Sequence, residues 1–365
     1  MASSAGAPAP AIGPGTVMMT FPASAVSVAT ASTERIAKPS IRTRRIVPPF
    51  ASISVWYIKS NTRDEPTSTA VQKMDALLQG ISSFWPAAVF WLGLVLFAVL
   101  ENAFPHRLVN ARRDDRWPTN FCLGAFNAAI VPLAPVSAVL SAQWAQNNGI
   151  GLLNIVEWKG AWWVVVPLAT VLIRSFSNYL VHYAFHKMPV LWRLHRVHHF
   201  DTNLDVSTGL RNHPAEAVLL LLLATAVSIA FGLDPITLII SETLETSFNL
   251  FSHANLGLPA RLDSWLRVLV VTPQVHSVHH SSSQPQTDSN YGSLLTLWDR
   301  MFGTYRVPSS SDFQIGLAEP RDSRVDSLWW QLKSPFLNIP PPAVNLNAGE
   351  QLPHPRRPLS SQRSA

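Results

Sequence analysis

Eight histidines fall in three short strings: His182 and His186 in HYAFH, His195, His198 and His199 in HRVHH, and His276, His279 and His280 in HSVHH. On a helix, residues at i, i+3 and i+4 share a face, so each string offers its imidazoles as one patch. Neutral imidazole is the commonest metal ligand. Cys122 is the only cysteine, which removes both a disulfide framework and a zinc–thiolate site. One histidine alone is more often structural than ligating. Eight of the twelve in three helix-spaced strings point instead to a metal centre. Nitrogen-only ligation leaves zinc, copper, nickel and iron open. A structural zinc takes only four ligands, and no string carries the glutamate of an HExxH metalloprotease. Three patches can surround two metal ions, and two irons with open positions for oxygen fit best.

The elements that must hold these patches are apolar. Of 365 residues, 47% are hydrophobic and 14% charged, low in charge for a soluble enzyme. Expected spans run from Ile81 to Phe104, Asn120 to Ala142 and Ala161 to Val181, each long enough at ~20 residues to cross a bilayer. Ala217 to Phe231 and Ile236 to Phe251 flank a break at Gly232 and Asp234-Pro235, the pattern of a helical hairpin that returns to its own side. The fold expected is all-α: a polytopic membrane protein with about three spanning helices plus a helical hairpin, under a cytosolic, histidine-rich di-metal cap. A loop with Arg107, Arg112, Arg113 and Arg116 marks the cytoplasmic side, whereas residues 143–160 carry only Glu157 and Lys159. Every histidine string then emerges on the cytoplasmic face. The sequence pI is 9.8, but basic residues are scattered through loops and tails, which argues against nucleic acid.

Residues 1–73 are rich in Ala, Ser, Thr and Pro, with a basic run RIAKPSIRTRR. They read as a disordered extension, as an organelle transit peptide, or as sequence upstream of a true start at Met74. Residues 74–310 form the expected membrane domain, and 311–365 a polar, Pro/Ser-rich tail. Trp85, Trp91, Trp162 and Trp163 suit interfacial anchors. Glu242 and Glu245 sit in the second hairpin arm, where acids usually face a polar interior. In WDRMFGT, Trp298 and Phe302 are expected to pack and Asp299 and Arg300 to pair.

The strings LWRLHRVHH (191–199), DVSTGLRNHPAE (205–216), FSHANLGLP (251–259), TPQVHSVHH (272–280) and TDSNYGSLLTLWDRMFGTYR (287–306) extend the pattern well beyond the histidines. Over roughly residues 85–310 the chain resembles the fatty acid hydroxylase/sterol desaturase superfamily, the membrane histidine-box di-iron oxygenases, and most of all its bacterial sterol desaturase-like members. The resemblance implies an O2-dependent oxidoreductase that hydroxylates or desaturates an unactivated C–H position of a membrane lipid, whether sterol, fatty acyl or related. It implies two iron ions (Fe2+/Fe3+), O2 as co-substrate, and a bacterial inner membrane ahead of the endoplasmic reticulum. No GxGxxG, flavin motif or cysteine ligands for an iron–sulfur cluster appear, so electrons are expected from a separate NAD(P)H-linked donor of cytochrome b5 or ferredoxin type.

The eight box histidines carry over as ligands, and His253 matches a further ligand position. Asn249, one turn before it, stands where some relatives have histidine. His213 is either a tenth ligand or the cap of the helix that follows at Pro214. Asp201, Asp205, Glu216, Asp288 and Asp299 are candidates to orient imidazoles, with Asp299 also a possible ligand. In two places the chain departs from the pattern: Tyr183 replaces an arginine after the first box histidine, and Arg174-Ser175 replaces an acid two turns before it. Those departures leave a second class open, a non-catalytic membrane protein that binds metal or lipid on the same fold. A soluble zinc hydrolase is a distant third.

Overall fold

A computed structural model describes residues 68–339, except 108–112, 131–132, 134–135, 159 and 308–312. Most of the N-terminal extension and the end of the C-terminal tail therefore lie outside the described residues. Helices α1 (Ser68–Ala103), α2 (Arg113–Ile130), α3 (Ala138–Asn147) and α4 (Leu152–Ile155) precede the long α5 (Trp162–Lys187) and α6 (Pro189–His199). Next come α7 (Pro214–Phe231), α8 (Pro235–His253), α9 (Ala260–Leu266) and α10 (Pro273–His279). The short helices α11 (Gln284–Thr287), α12 (Leu297–Met301) and α13 (Leu328–Lys333) close the cap. Among the described residues no strand forms beyond isolated bridges such as Val270 with Leu295.

Among the described residues, three helical stretches are long and apolar enough to cross a membrane: Phe84–Ala103, Trp162–Lys187 and Pro214–Phe231. Their outer faces leave Trp85, Trp91, Leu92, Trp163 and Leu222 exposed, as lipid-facing positions require. This is the polytopic all-α fold expected, with two differences. Pro214–Phe231, expected as an arm of a hairpin that returns to its own side, is itself long and apolar enough to cross. The segment Asn120 to Ala142 is not one span but two shorter helices, α2 and α3, separated by a stretch that carries Pro132 and Pro135. Arg116 and Asn120 are fully buried, so the first part of α2 belongs to the cap rather than the bilayer.

Local signals explain where the histidine-bearing helices start. Proline opens α6, α7, α8 and α10, where the missing N–H costs nothing. Asp234 caps α8 through the Thr237 N–H at 2.8 Å, and Thr272 caps α10. Gly232 ends α7 with φ +63°, a left-handed turn that suits glycine. A cluster including Ala142, Leu233 and Leu238 packs the far end of the helices, and Leu94, Val206 and Leu250 pack the end beneath the cap.

Buried charge joins the cap to the helices. Glu101, at the end of α1, accepts from the backbone N–H groups of Val206 and Asn255, both at 3.0 Å, and pairs with Arg113. Arg116 bonds Asp205 at 2.9 Å and Asp201 at 3.0 Å. Arg211 reaches Asn120, the Val197 carbonyl and the Val325 carbonyl. Arg116 thus braces the fold from inside and is a poor marker of a charged loop. Arg196 donates to the carbonyls of Ser334 and Leu337, and the Leu317 N–H to the His199 carbonyl, so part of the segment expected as a polar tail packs on the cap.

A candidate metal centre

Histidines arrive at the ends of four helices: His182 and His186 end α5, His195, His198 and His199 end α6, His253 ends α8, and His276 and His279 end α10 with His280 as its cap. They meet as two groups. His182, His186, His195, His199 and His279 form one; His198, His253, His276 and His280 form the other. Within each group, one ligand nitrogen per residue lies within 4.8 Å of all the others. All nine histidines expected as ligands are therefore brought together, and each HX2HH string divides its members between both groups.

Hydrogen bonds on the outward nitrogens define what points inward. Nδ1 of His182 donates to the Tyr291 carbonyl at 2.8 Å, and Nδ1 of His279 to the Ser289 carbonyl at 2.7 Å. Nδ1 of His253 donates to the Asn249 carbonyl at 2.7 Å, and Nδ1 of His195 to Glu216 at 2.8 Å. A neutral imidazole has one proton, so each of these four turns a bare Nε2 lone pair toward its group. Nε2 of His182 and Nε2 of His195 lie 3.1 Å apart, with no proton left to bond them. Further buried ring nitrogens, both of His199 and Nε2 of His279 among them, have no protein partner. Buried acceptors facing one another are costly unless a cation lies between them. The donor set fits metal ions.

Burial, followed by the neighbouring imidazoles, pushes the pKa values of His198, His199, His276 and His280 well below the ordinary histidine range. Neutral rings are the ligating form. Glu216 is buried, and its second oxygen has no hydrogen-bond partner.

Of the less direct sequence candidates, His213, Asn249 and Asp299 fall outside both groups. His213 caps α7, its Nδ1 accepting from the Ala215 N–H at 3.1 Å. The Asn249 side chain donates to the Gly209 carbonyl at 3.1 Å, and a Cβ on Gly209 would lie 2.9 Å from that amide. Asp299 does not pair with Arg300. It accepts from the N–H groups of Tyr291 and Gly292 at 2.8 Å, and so holds the carbonyl that orients His182. Asp201 and Asp205 bind Arg116, while Asp288 pairs with Lys187 at 2.7 Å and lies 3.4 Å from His186. Ser175 accepts from the Trp298 indole at 2.9 Å, and Tyr183 packs against Tyr291. Sequence reasoning missed the roles of Tyr291 and Ser289. Their string was visible, but they act through backbone oxygens that residue type does not reveal.

A cavity of 460 Å³ opens from both histidine groups down between α5, α7 and α8, within the size range of small-molecule sites. Val181, Leu220, Leu223, Ala224 and Val227 give it apolar walls. Glu245 lines it and pairs with Arg174 at 3.3 Å. The site can therefore hold two cations beside a cavity fit for an alkyl chain.

Residues 167–304 match the family model described as Fatty acid hydroxylase. Alkylglycerol monooxygenase from Danio rerio is 27% identical over 243 residues, 64% of this chain and 50% of that protein. Ornithine lipid hydroxylase OlsE from Rhizobium tropici is 29% identical over 242 residues, 63% of this chain and 71% of that protein. Cholesterol 25-hydroxylase-like protein from Danio rerio is 27% identical over 154 residues, 41% of this chain and 59% of that protein. The chain thus spans about half the length of the alkylglycerol monooxygenase it matches. No solved structure matches it.

Proposed function

Residues 167–304 of this chain belong to the fatty acid hydroxylase family, and on that premise we propose an O2-dependent, two-iron oxidoreductase that hydroxylates an unactivated C–H position of a membrane lipid. The observation that carries this reading is the convergence of nine buried imidazoles, five and four, beside an apolar cavity. Hydroxylation is favoured over desaturation because the similar proteins are named as hydroxylases and monooxygenases of lipids.

His182, His186, His195, His199 and His279 would hold one ion, and His198, His253, His276 and His280 the other. Iron bound there would supply the O2 chemistry that places one oxygen atom in a C–H bond, with two electrons from the donor and two protons taking the other to water. The chain's own residues set the conditions. Tyr291, Ser289 and Asn249 fix ring orientation through their carbonyls, and Glu216 does so through its carboxylate. The cavity's apolar walls keep water from the alkyl chain and hold its carbons in register with the histidines. Reducing equivalents come from a separate NAD(P)H-linked donor through a cytochrome b5- or ferredoxin-type partner. Without the buried Arg116, the loop's Arg107, Arg112 and Arg113 still favour a cytoplasmic active site, and we place the protein in a bacterial inner membrane. The membrane domain is residues 74–310, and residues 313–339 belong with it, since Arg196 on α6 holds the carbonyls of Ser334 and Leu337.

Ser175 and Tyr183 favour one rival reading, a fold that binds metal or lipid without turnover. Lipid extracts from cells with and without the full chain, grown under isotopically heavy O2, separate the two. The proposal expects a lipid that gains one heavy oxygen and loses it with His198→Ala or His279→Ala. Unchanged lipids with full metal content would establish the rival.

A further inference from the structure

The cavity's second polar feature lies away from the histidines. Arg174 on α5 and Glu245 on α8 form an ion pair within it, and Arg174 also donates to Asn178 one turn on. Arg174 precedes His182 by eight residues, and Glu245 precedes His253 by eight, so on both helices the pair lies ~12 Å from the ligands. Val181, Leu220 and Leu223 line the same cavity, together with the polar Ser177, Asn178 and Thr246. An ionisable pair inside a spanning helix is expensive and is retained where it meets something polar. Nε of Arg174 is buried and has no hydrogen-bond partner, so the guanidinium keeps a donor that the ion pair and Asn178 do not use.

We infer that Arg174 and Glu245 form a selectivity register, which docks a neutral oxygen acceptor of an amphiphilic substrate about two helical turns from the carbon that reacts. The identity of the reacting carbon rests on the function proposed above; the recognition does not. Arg174 supplies N–H donors to a hydroxyl or carbonyl oxygen. The chemistry is neutral because Glu245 already balances the guanidinium at 3.3 Å. A further anion would be buried beside the Glu245 carboxylate, at a cost no second cation offsets. The separation of ~12 Å matches a medium-length alkyl segment, so 1-decanol is a suitable probe and decane its control.

Native mass spectrometry of the detergent-solubilised full chain reads retention of each probe. The wild type should retain 1-decanol over decane by about tenfold, the worth of one buried bond to a charged donor. In Arg174→Met/Glu245→Met, which replaces the pair by apolar groups of similar size, that preference should vanish while decane is still held. Equal retention of both probes by the wild type overturns the inference without any variant, as does an undiminished preference in the double variant. Metal content measured on the same samples reports on the oxygenase reading separately, since loss of metal alone leaves the probe ratio as the test of this one.

Discussion

Nδ1 of His195 donates to the Glu216 carboxylate at 2.8 Å, so an acid at the start of α7 sets the tautomer of an imidazole on α6. The other oriented rings, those of His182, His253 and His279, use backbone carbonyls, which no side-chain substitution removes. Glu216 is therefore the support most open to direct test. Glu216→Ala should weaken metal binding at the five-histidine group by about 10–100-fold, as loss of an outer carboxylate typically does. Competition against a graded chelator measures this, and Glu216→Gln, whose amide oxygen still accepts, should fall between the two.

Arg116 is a second point of leverage. It is fully buried and neutralises Asp201 and Asp205 behind the HRVHH helix. Arg116→Met leaves two buried carboxylates without their cation and should cost about 3–5 kcal/mol. Thermal unfolding in detergent should show a large drop, with metal lost in the same transition. A melting temperature close to wild type would mean that the cap is not held by this lattice.

At the opposite end of the molecule, Gly151 has φ +94°, and a Cβ there would sit 2.2 Å from the backbone nitrogen of Gly232. Both the backbone conformation and the contact exclude a side chain. Gly151→Ala should destabilise by at least about 1–3 kcal/mol from the backbone alone, whereas Gly149→Ala, with open space around it, should cost less. Paired unfolding curves compare the two.

Ser175 tests whether departure from the family pattern matters. Its hydroxyl binds the Trp298 indole rather than a histidine. Ser175→Ala should lower stability by about 1 kcal/mol, the worth of one neutral hydrogen bond, and leave metal content unchanged. A variant that lost metal would show that this position still acts on the ligands.

Much of this architecture was legible in the chain. Helical spacing placed His182 beside His186, and the proline at the start of α10 preceded HSVHH in plain view. Helix break and cap assignments fared less evenly. By length and hydropathy Asn120 to Ala142 suits one span, yet it divides between α2 and α3, and Asn120 is buried in the cap. Asp299 beside Arg300 suggested an ion pair, yet the carboxylate turned to the Tyr291 and Gly292 N–H groups. Adjacent residues on a helix point apart, and that geometry overrode the charge match. Least visible were the carbonyls of Tyr291 and Ser289, because every residue type supplies one.

Metal content of the purified full chain tests the account most directly. The two-group arrangement predicts two irons per chain, with His199→Ala and His276→Ala each losing metal from a different group and the double variant losing both. Wild-type protein that binds one ion or none from an iron-replete source, or single variants that retain both, would contradict it.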